Sequence, residues 1–460
     1  MRSTTPFFAA FGPLLFGRPP RSFRAELRSQ ATHGESLSQL RAAFGSMIPD
    51  ALLGQEKAGA GSRDRLFSSL ITFWAFLAQV LSPNCACREA LRKVQAWWSL
   101  QHGVAISADT SGYCQARARL PNHALKHIHA HLAERMEANV TQQQRWFGRC
   151  VKIVDGTNLS MPDTVENQQA YPQPSSQKSG CGFPMMKLVG IFSLASGALL
   201  HFARGSLHVH ESQLFRTLWN CLSKGDILLS DRGFCSFLAI TSLLNRGVDG
   251  VMRLHQGRRV DFRRGKRLGH DDILIRWTKP AQCPKSTTNE EFAALPQSVV
   301  LRQIRLRVGF KGCRSRTIIL VTTLLDPVAY PADAIRALYL ERWSVELHFR
   351  EIKTVMALDI LRCMGPAMIE KELLLHVIAY NLIRSLMQHA ALRHRVSLQR
   401  LSFKGTLDTL RHFADAVQAA NGRPGKQAAL LDAMLANVAK DLLPHRHDRS
   451  EPRAKRASKK

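Results

Sequence analysis

Acidic residues are scarce in this 460-residue chain: 35 Asp and Glu stand against 64 Lys and Arg, giving a formal charge of +29 and a pI near 10.4. Such a deficit argues against a protein that works on cationic partners and for one that meets a polyanion, because every neutralised phosphate releases counterions. Nucleic acid is the expected partner, ahead of an anionic membrane surface. The basic residues are spread along the chain, so the charge is more than one sticky tail. Long apolar runs are missing as well. The longest, Leu66 to Leu81, has 16 residues and includes Ser68, Ser69, Thr72 and Gln79, short of the roughly 20 needed to span a bilayer. It reads as a buried core helix. Phe7 to Phe16 is apolar, but Pro13 interrupts it and no small-residue cleavage site follows, so a cytoplasmic protein is expected.

The 10 cysteines lack paired spacing. Cys85-Ala86-Cys87 has one intervening residue, and no Cys/His pair follows at zinc-finger distance, which leaves reduced, mostly buried thiols. Gly180-Cys181-Gly182 lacks the strand–GxxxxGK–helix setting of a nucleotide site. No internal repeat is present. What remains is an ordinary globular composition, 45% hydrophobic and 22% charged, in a chain long enough for two or three domains.

Residues 1–34 are rich in Arg, Pro, Ser and Gly and read as a poorly ordered leader. Residues 35–145 have a helical pattern; Ser107 to Pro121 opens on N-cap residues and ends basic, which suits either DNA contact or plain helical packing. At Cys150 the texture changes. CVKIVDGTNLSMP reads as a buried strand ending in a polar turn, and KLVGIFSLASGALLHFARG as two strands about Ser196-Gly197. Asp226 to Asp231 is another short apolar strand. Residues 257–318 are basic and strand-like, and Arg316 to Pro327 is a strong strand leading to a helix. Helical pattern resumes after Leu358, and 444–460 is a basic tail.

The helix expected over Ala337–Leu358 carries Tyr339, Arg342, Glu346 and Lys353. At about 100° and about 1.5 Å per residue, the four fall within roughly a 60° arc that is about 21 Å long. A solvated helix face is the ordinary alternative. Asp155 and Asp231, however, each end an apolar strand beside a glycine, at rims where side chains converge. Three hard oxygen ligands on rigid elements, with no His or Cys among them, suit magnesium or manganese. Two such ions, roughly 4 Å apart, activate a water and stabilise a leaving phosphodiester oxygen. Other acidic and histidine groups look less informative: His208-Val209-His210 as a structural or cap element, Asp271-Asp272 and Glu290-Glu291 as solvated loop residues.

VDGTNLS around Asp155, LLSDRGF around Asp231, and the Y-x2-R-x3-E-x6-K element from Tyr339 to Lys353 resemble the DDE transposases of bacterial insertion sequences, more narrowly the insertion-sequence-four group. The resemblance covers roughly residues 60–390 in order and spacing. It implies an α/β fold: a ribonuclease-H-like catalytic core (146–256 and 319–392) with a β-rich insertion (257–318), a helical N-terminal domain (35–145) that binds DNA ends, and C-terminal helices (393–443). By the same likeness Asp155, Asp231 and Glu346 bind two Mg2+ or Mn2+ ions, Tyr339, Arg342 and Lys353 hold DNA phosphates, and Trp343 stacks on a displaced base. The partners implied are double-stranded DNA, as terminal inverted repeats and as target, and a second copy of the chain on paired ends, in the bacterial cytoplasm with no membrane. A ribonuclease-H-like nuclease without strand transfer, or an idle DNA-binding derivative, are the alternatives. Relatives that form a DNA hairpin place a tryptophan on the strand before the helix. Thr317 to Asp326 contains none, and Trp277 lies in the expected insertion, which leaves the hairpin step open.

Overall fold

A computed structural model of the chain describes residues 66–82, 86–103, 105–258, 260–284, 287–308, 316–419 and 423–444. The expected leader, the start of the N-terminal helical region and the basic tail beyond residue 444 lie outside the described residues. Four helices open the described chain: α1 (Ser69–Leu81), α2 (Cys87–His102), α3 (Ser111–Arg119) and α4 (Asn122–Ala138). Strand β1 (Val151–Ser160), helix α5 (Val165–Ala170) and the hairpin β2 (Met185–Ser193) and β3 (Leu199–Ser206) follow. Then come α6 (Glu211–Thr217), β4 (Ile227–Ser230), α7 (Phe237–Leu244), β5 (Asp249–Arg253), β6 (Lys266–Gly269), β7 (Asp272–Thr278), α8 (Asn289–Ala293), β8 (Ser298–Val308) and β9 (Arg316–Thr322). Helices α9 (Ala332–Leu340), α10 (Ser344–Arg350), α11 (Pro366–His394), α12 (Phe403–Ala419) and α13 (Pro424–Lys440) complete the order.

The chain divides into two compact units. One is drawn from Met1–Gln144, Gly156–Val209 and Glu346–Leu442, the other from Arg145–Asp155, His210–Val345 and Leu443–Lys460. In the first, the strand order is β3-β2-β1; in the second it is β1-β4-β5-β9-β8-β7-β6. The chain passes from the second unit to the first inside β1, between Asp155 and Gly156. This mixed sheet with helices in its connections is the α/β, ribonuclease-H-like architecture expected from the sequence.

The first unit is organised around α11. Its apolar residues are buried almost all round, from Leu373 to Met387, as expected of a helix enclosed by others. Gly365 precedes Pro366 at the start, and Arg395 ends it in the left-handed conformation. Its polar side chains meet buried backbone groups that would otherwise be orphaned. Asn381 accepts from Leu199 N–H and donates to Leu199 C=O, both at 3.0 Å, and the Tyr380 hydroxyl donates to Gly197 C=O at 2.7 Å. The turn between β2 and β3 falls at the predicted Ser196-Gly197, where Gly197 has φ +69° and any Cβ would meet the Arg384 guanidinium. The apolar run at the N-terminal side is the buried helix α1, capped by Ser68, which accepts from Ile71 N–H at 3.3 Å. In the basic segment of α3, Arg117 turns inward, buried over the rings of Phe76 and Tyr113 at 4.9 and 5.1 Å; Arg119 is exposed.

In the second unit β1, β4 and β5 run parallel, and β9, β8, β7 and β6 continue antiparallel. One expectation fails here. Asp272 is not a solvated loop residue but opens β7, 3% exposed. Its two carboxylate oxygens accept from Arg302 Nε at 2.8 Å and Nη2 at 2.6 Å, and Arg302 is itself fully buried. The register of β7 on β8 makes the pair. Asp271 is likewise held, by Arg305 at 2.6 Å, whereas Glu290 and Glu291 stay exposed but lie in helix α8 instead of a loop. His210 sits at the start of α6, where its backbone N–H donates to Gln213 Oε1 at 3.2 Å, a cap role as expected.

A second expectation needs correcting. Ala337–Leu358 is not one regular helix. Leu340 ends α9, Glu341–Trp343 is a 3-10 turn, α10 follows, and Glu351–Val355 is a π turn that closes at Ala357 with φ +56°. The wide turn lets Ile352, Met356 and Leu358 all be buried. The ideal 100° step therefore cannot be carried from Tyr339 to Lys353.

Candidate active site

Strands β1 and β4 place the two aspartates. Apart from Lys152 and Ser230 both are apolar where they pair, and the paired residues, Val151–Val154 and Ile227–Ser230, are buried. Val154 pairs with Ser230 in parallel register, so Asp155 and Asp231 occupy the next position on neighbouring strands. Adjacent strands lie about 4.8 Å apart, and side chains at one register level share a face. Two carboxylates thus stand side by side, Asp231 just after β4 but Asp155 inside β1, which runs on to Ser160 instead of turning after the aspartate as expected.

Arginines face both. Arg342, in the 3-10 turn, brings Nη1 to 3.4 Å from Asp155 Oδ2, and its guanidinium lies 5.8 Å from the rings of Tyr339 and Trp343. Ser230 pairs with Met252 on β5, so Arg253 takes the same register level as the aspartates. Its Nη1 is 3.6 Å from Asp231 Oδ1, an oxygen that is buried and accepts no hydrogen bond. Tyr339 is 1% exposed, and its hydroxyl donates to the carbonyl of Ser230, immediately before Asp231, at 3.3 Å. Burial pushes that phenol's pKa up, against the opposing pull of Arg342. Trp343, 36% exposed, is the most open of the expected DNA contacts.

The first unit holds the other two predicted residues. Glu346 is exposed on α10. Lys353, half-buried in the π turn, donates from Nζ to Thr157 Oγ1 at 3.1 Å. The turn is anchored by Glu351, whose Oε2 lies 3.5 Å from His348 Nδ1 and 3.9 Å from Arg384 Nη1. Burial holds the His348 imidazole pKa below its ordinary value, with Glu351 opposing. Beyond the turn the backbone is tied to the end of β1: Ser160 N–H donates to Asp359 C=O and Leu361 N–H to Ser160 C=O, at 3.0 and 2.9 Å.

Among the described residues, no three Asp, Glu, His or Cys side chains are grouped as a metal ion would require. The donor set nevertheless fits a hard divalent cation: carboxylates alone, one with a buried oxygen that accepts no hydrogen bond. The sequence did not point to Arg253 or Thr157. Arg253 stands at the end of the expected strand Gly250–Leu254, but which strand lies beside it is long-range information.

Residues 146–382, more than half of the chain, match the family model described as "Transposase DDE domain". The chain belongs to the DDE transposase family. It is 27% identical over 349 residues, 75% of each chain, to the transposase InsG for insertion sequence element IS4 of Escherichia coli (strain K12), in keeping with the insertion-sequence-four group. Of solved structures, the cryo-EM structure of a piggyBac transposase synaptic complex with hairpin DNA is similar at 9% identity and a TM-score of 0.46, covering 88% of this chain and 85% of that one. Family membership makes this protein a transposase, with DNA as its partner and divalent-metal phosphodiester chemistry as its class. Among the described residues of the transposase, no helix is long and apolar enough to cross a membrane.

Proposed function

We propose that this transposase cleaves the ends of its element and joins the freed 3′-hydroxyl to a target strand, using two Mg2+ or Mn2+ ions held by Asp155, Asp231 and Glu346. The observation that carries this is the shared register level of Asp155 and Asp231 on β1 and β4. When bound, the ions supply an activated water or 3′-hydroxyl and stabilise the leaving oxygen. The remaining work belongs to this chain's own groups. Arg342 and Arg253 offset the mutual repulsion of the aspartates. Tyr339 fixes the strand end that carries Asp231 through the Ser230 carbonyl. Trp343 and Lys353 contact DNA, as an exposed ring for a base and an ammonium for a phosphate. Arg342 and Tyr339 face protein in this conformation, so their hold on phosphate requires them to exchange these partners for DNA.

The helical region 35–145 reads the terminal inverted repeats, and 393–443 supports contacts between two copies. The working form is a homodimer on paired ends in the bacterial cytoplasm, with no membrane. Precut element ends, a supercoiled target plasmid and Mg2+ test the reading. Joined product is expected. Cleavage of intact ends without joining of precut ones would leave a ribonuclease-H-like nuclease and remove strand transfer.

A further inference from the structure

The second unit carries a cationic edge that the aspartate site does not use. Edge strand β6 opens on Lys266-Arg267 and is entered through the turn Arg263-Arg264-Gly265, and all five residues are exposed. Arg263 and Arg264 have side chains 91% and 89% exposed, and share one carboxylate, Asp261, at 3.1 and 3.6 Å. Four cations in five residues therefore answer to one anion in the turn. Exposed pairs of this kind contribute little to stability, so folding does not explain the cluster.

The turn is nonetheless fixed in place. Gly265 has φ +125°, and a Cβ there would come within 2.3 Å of the Leu274 carbonyl oxygen on β7. The backbone at the centre of the cations thus lies directly on the neighbouring strand, and only glycine allows it. Next to it, Arg305 on β8 stacks on Phe262 at 4.3 Å while pairing with Asp271 at 2.6 Å. Arg307, 68% exposed, stands 3.6 Å from the same carboxylate. The edge is a positioned array of guanidinium and ammonium groups with a surplus of positive charge.

We infer that this edge, Arg263 to Arg267, binds the phosphate backbone of target DNA. The chemistry selects the partner. Apart from Gly265, Arg263 to Arg267 are cations alone, the side chains that make most phosphate contacts; an arginine can also read a guanine edge, and comparing two duplexes separates the two uses. Phosphate contacts give affinity without sequence preference, which suits a duplex whose sequence is not set in advance rather than a terminal repeat that must be recognised. The inference rests on the strand-transfer reading above for the word target, but its binding test needs no catalysis.

The test compares the full-length protein with the variant R263A/R264A/K266A/R267A on two labelled duplexes, one of unrelated sequence and one bearing the terminal repeat. On the unrelated duplex, affinity is expected to fall more than about tenfold at low salt. The slope of log affinity against log salt should become shallower by roughly 0.9 for each phosphate that the variant no longer neutralises. The charge-conserving variant R263K/R264K/K266R/R267K should bind like the parent, which separates missing charge from a damaged turn. Terminal-repeat binding should change less than about threefold, and joining of precut ends to the plasmid should fall with target binding. An unchanged salt slope on the unrelated duplex, or failure of the charge-conserving variant to bind, overturns the inference. An equal loss of affinity on both duplexes overturns the assignment to target. If the parent itself joins no precut ends, strand transfer fails instead, whatever the binding data say.

Discussion

Asp231 and Asp272 belong to the same unit and the same sheet, yet they are treated in opposite ways. Asp272 is 3% exposed and saturated by a fully buried Arg302 through two short hydrogen bonds. Arg302 Nη1 also donates to the Tyr330 carbonyl at 2.7 Å, so both charges are compensated where they lie. Asp231 has an oxygen that is just as hidden but accepts no hydrogen bond, and its arginine stands off at 3.6 Å. A buried oxygen left without a hydrogen bond is costly, even on a side chain that is 33% exposed as a whole. The contrast separates an aspartate that completes a core from one that, in the proposed function, takes a cation.

The largest expected break in that contrast is catalytic. Asp231→Asn, Asp155→Asn or Glu346→Gln should each lower end cleavage by at least about a thousandfold, roughly 4 kcal/mol of barrier, with binding to a terminal-repeat duplex within a few-fold of the parent. A cleavage assay beside a gel-shift titration reads both. Any of the three cutting at the parental rate would remove that residue from the assignment. Asp272→Asn should do the reverse, leaving the chemistry intact in folded molecules but costing about 3–5 kcal/mol of stability by stranding Arg302. The double change Asp272→Leu with Arg302→Met should recover much of that loss in a denaturant melt, which a structural pair predicts and a cation site does not.

Smaller effects refine the picture. Lys353→Ala should weaken DNA binding by about tenfold and reduce the salt slope by about 1; an unchanged slope would count against a phosphate contact. Arg253→Gln removes the positive charge beside Asp231. It should lower the melting temperature of the metal-free protein slightly and tighten Mn2+ binding by about threefold, as a competing cation at this range would. Weaker Mn2+ binding in that variant would mean that Arg253 supports the ion rather than standing in for it.

Much of this was legible in the residues. β1, β4 and the β2–β3 turn at Ser196-Gly197 follow from apolar runs and turn chemistry, which are local. Their aspartates could be picked out because each apolar run ends on a carboxylate close to a glycine, although β1 itself continues past Asp155 to Ser160. Asp272 could not be assigned, because its partner is 30 residues away and joins it only through the register of β7 on β8. Arg253 escaped for the same reason, its meaning depending on the strand beside it. The segment Ala337–Leu358 carries a regular helical pattern, but its π turn answers to the burial of Ile352, Met356 and Leu358. Local periodicity does not contain that demand.

The tie between Ser160 and the chain at Asp359 and Leu361 also bears on how this molecule is made. These bonds close a loop of 199 residues. During synthesis at about 5–20 residues per second, the outer end of β1 must wait about 10–40 s before the backbone that completes it has been translated. Throughout that interval the strand end offers open hydrogen-bonding groups. A ribosome carrying this chain therefore displays an unfinished sheet margin, and the yield of folded protein should depend on how well that margin is shielded until Leu361 emerges.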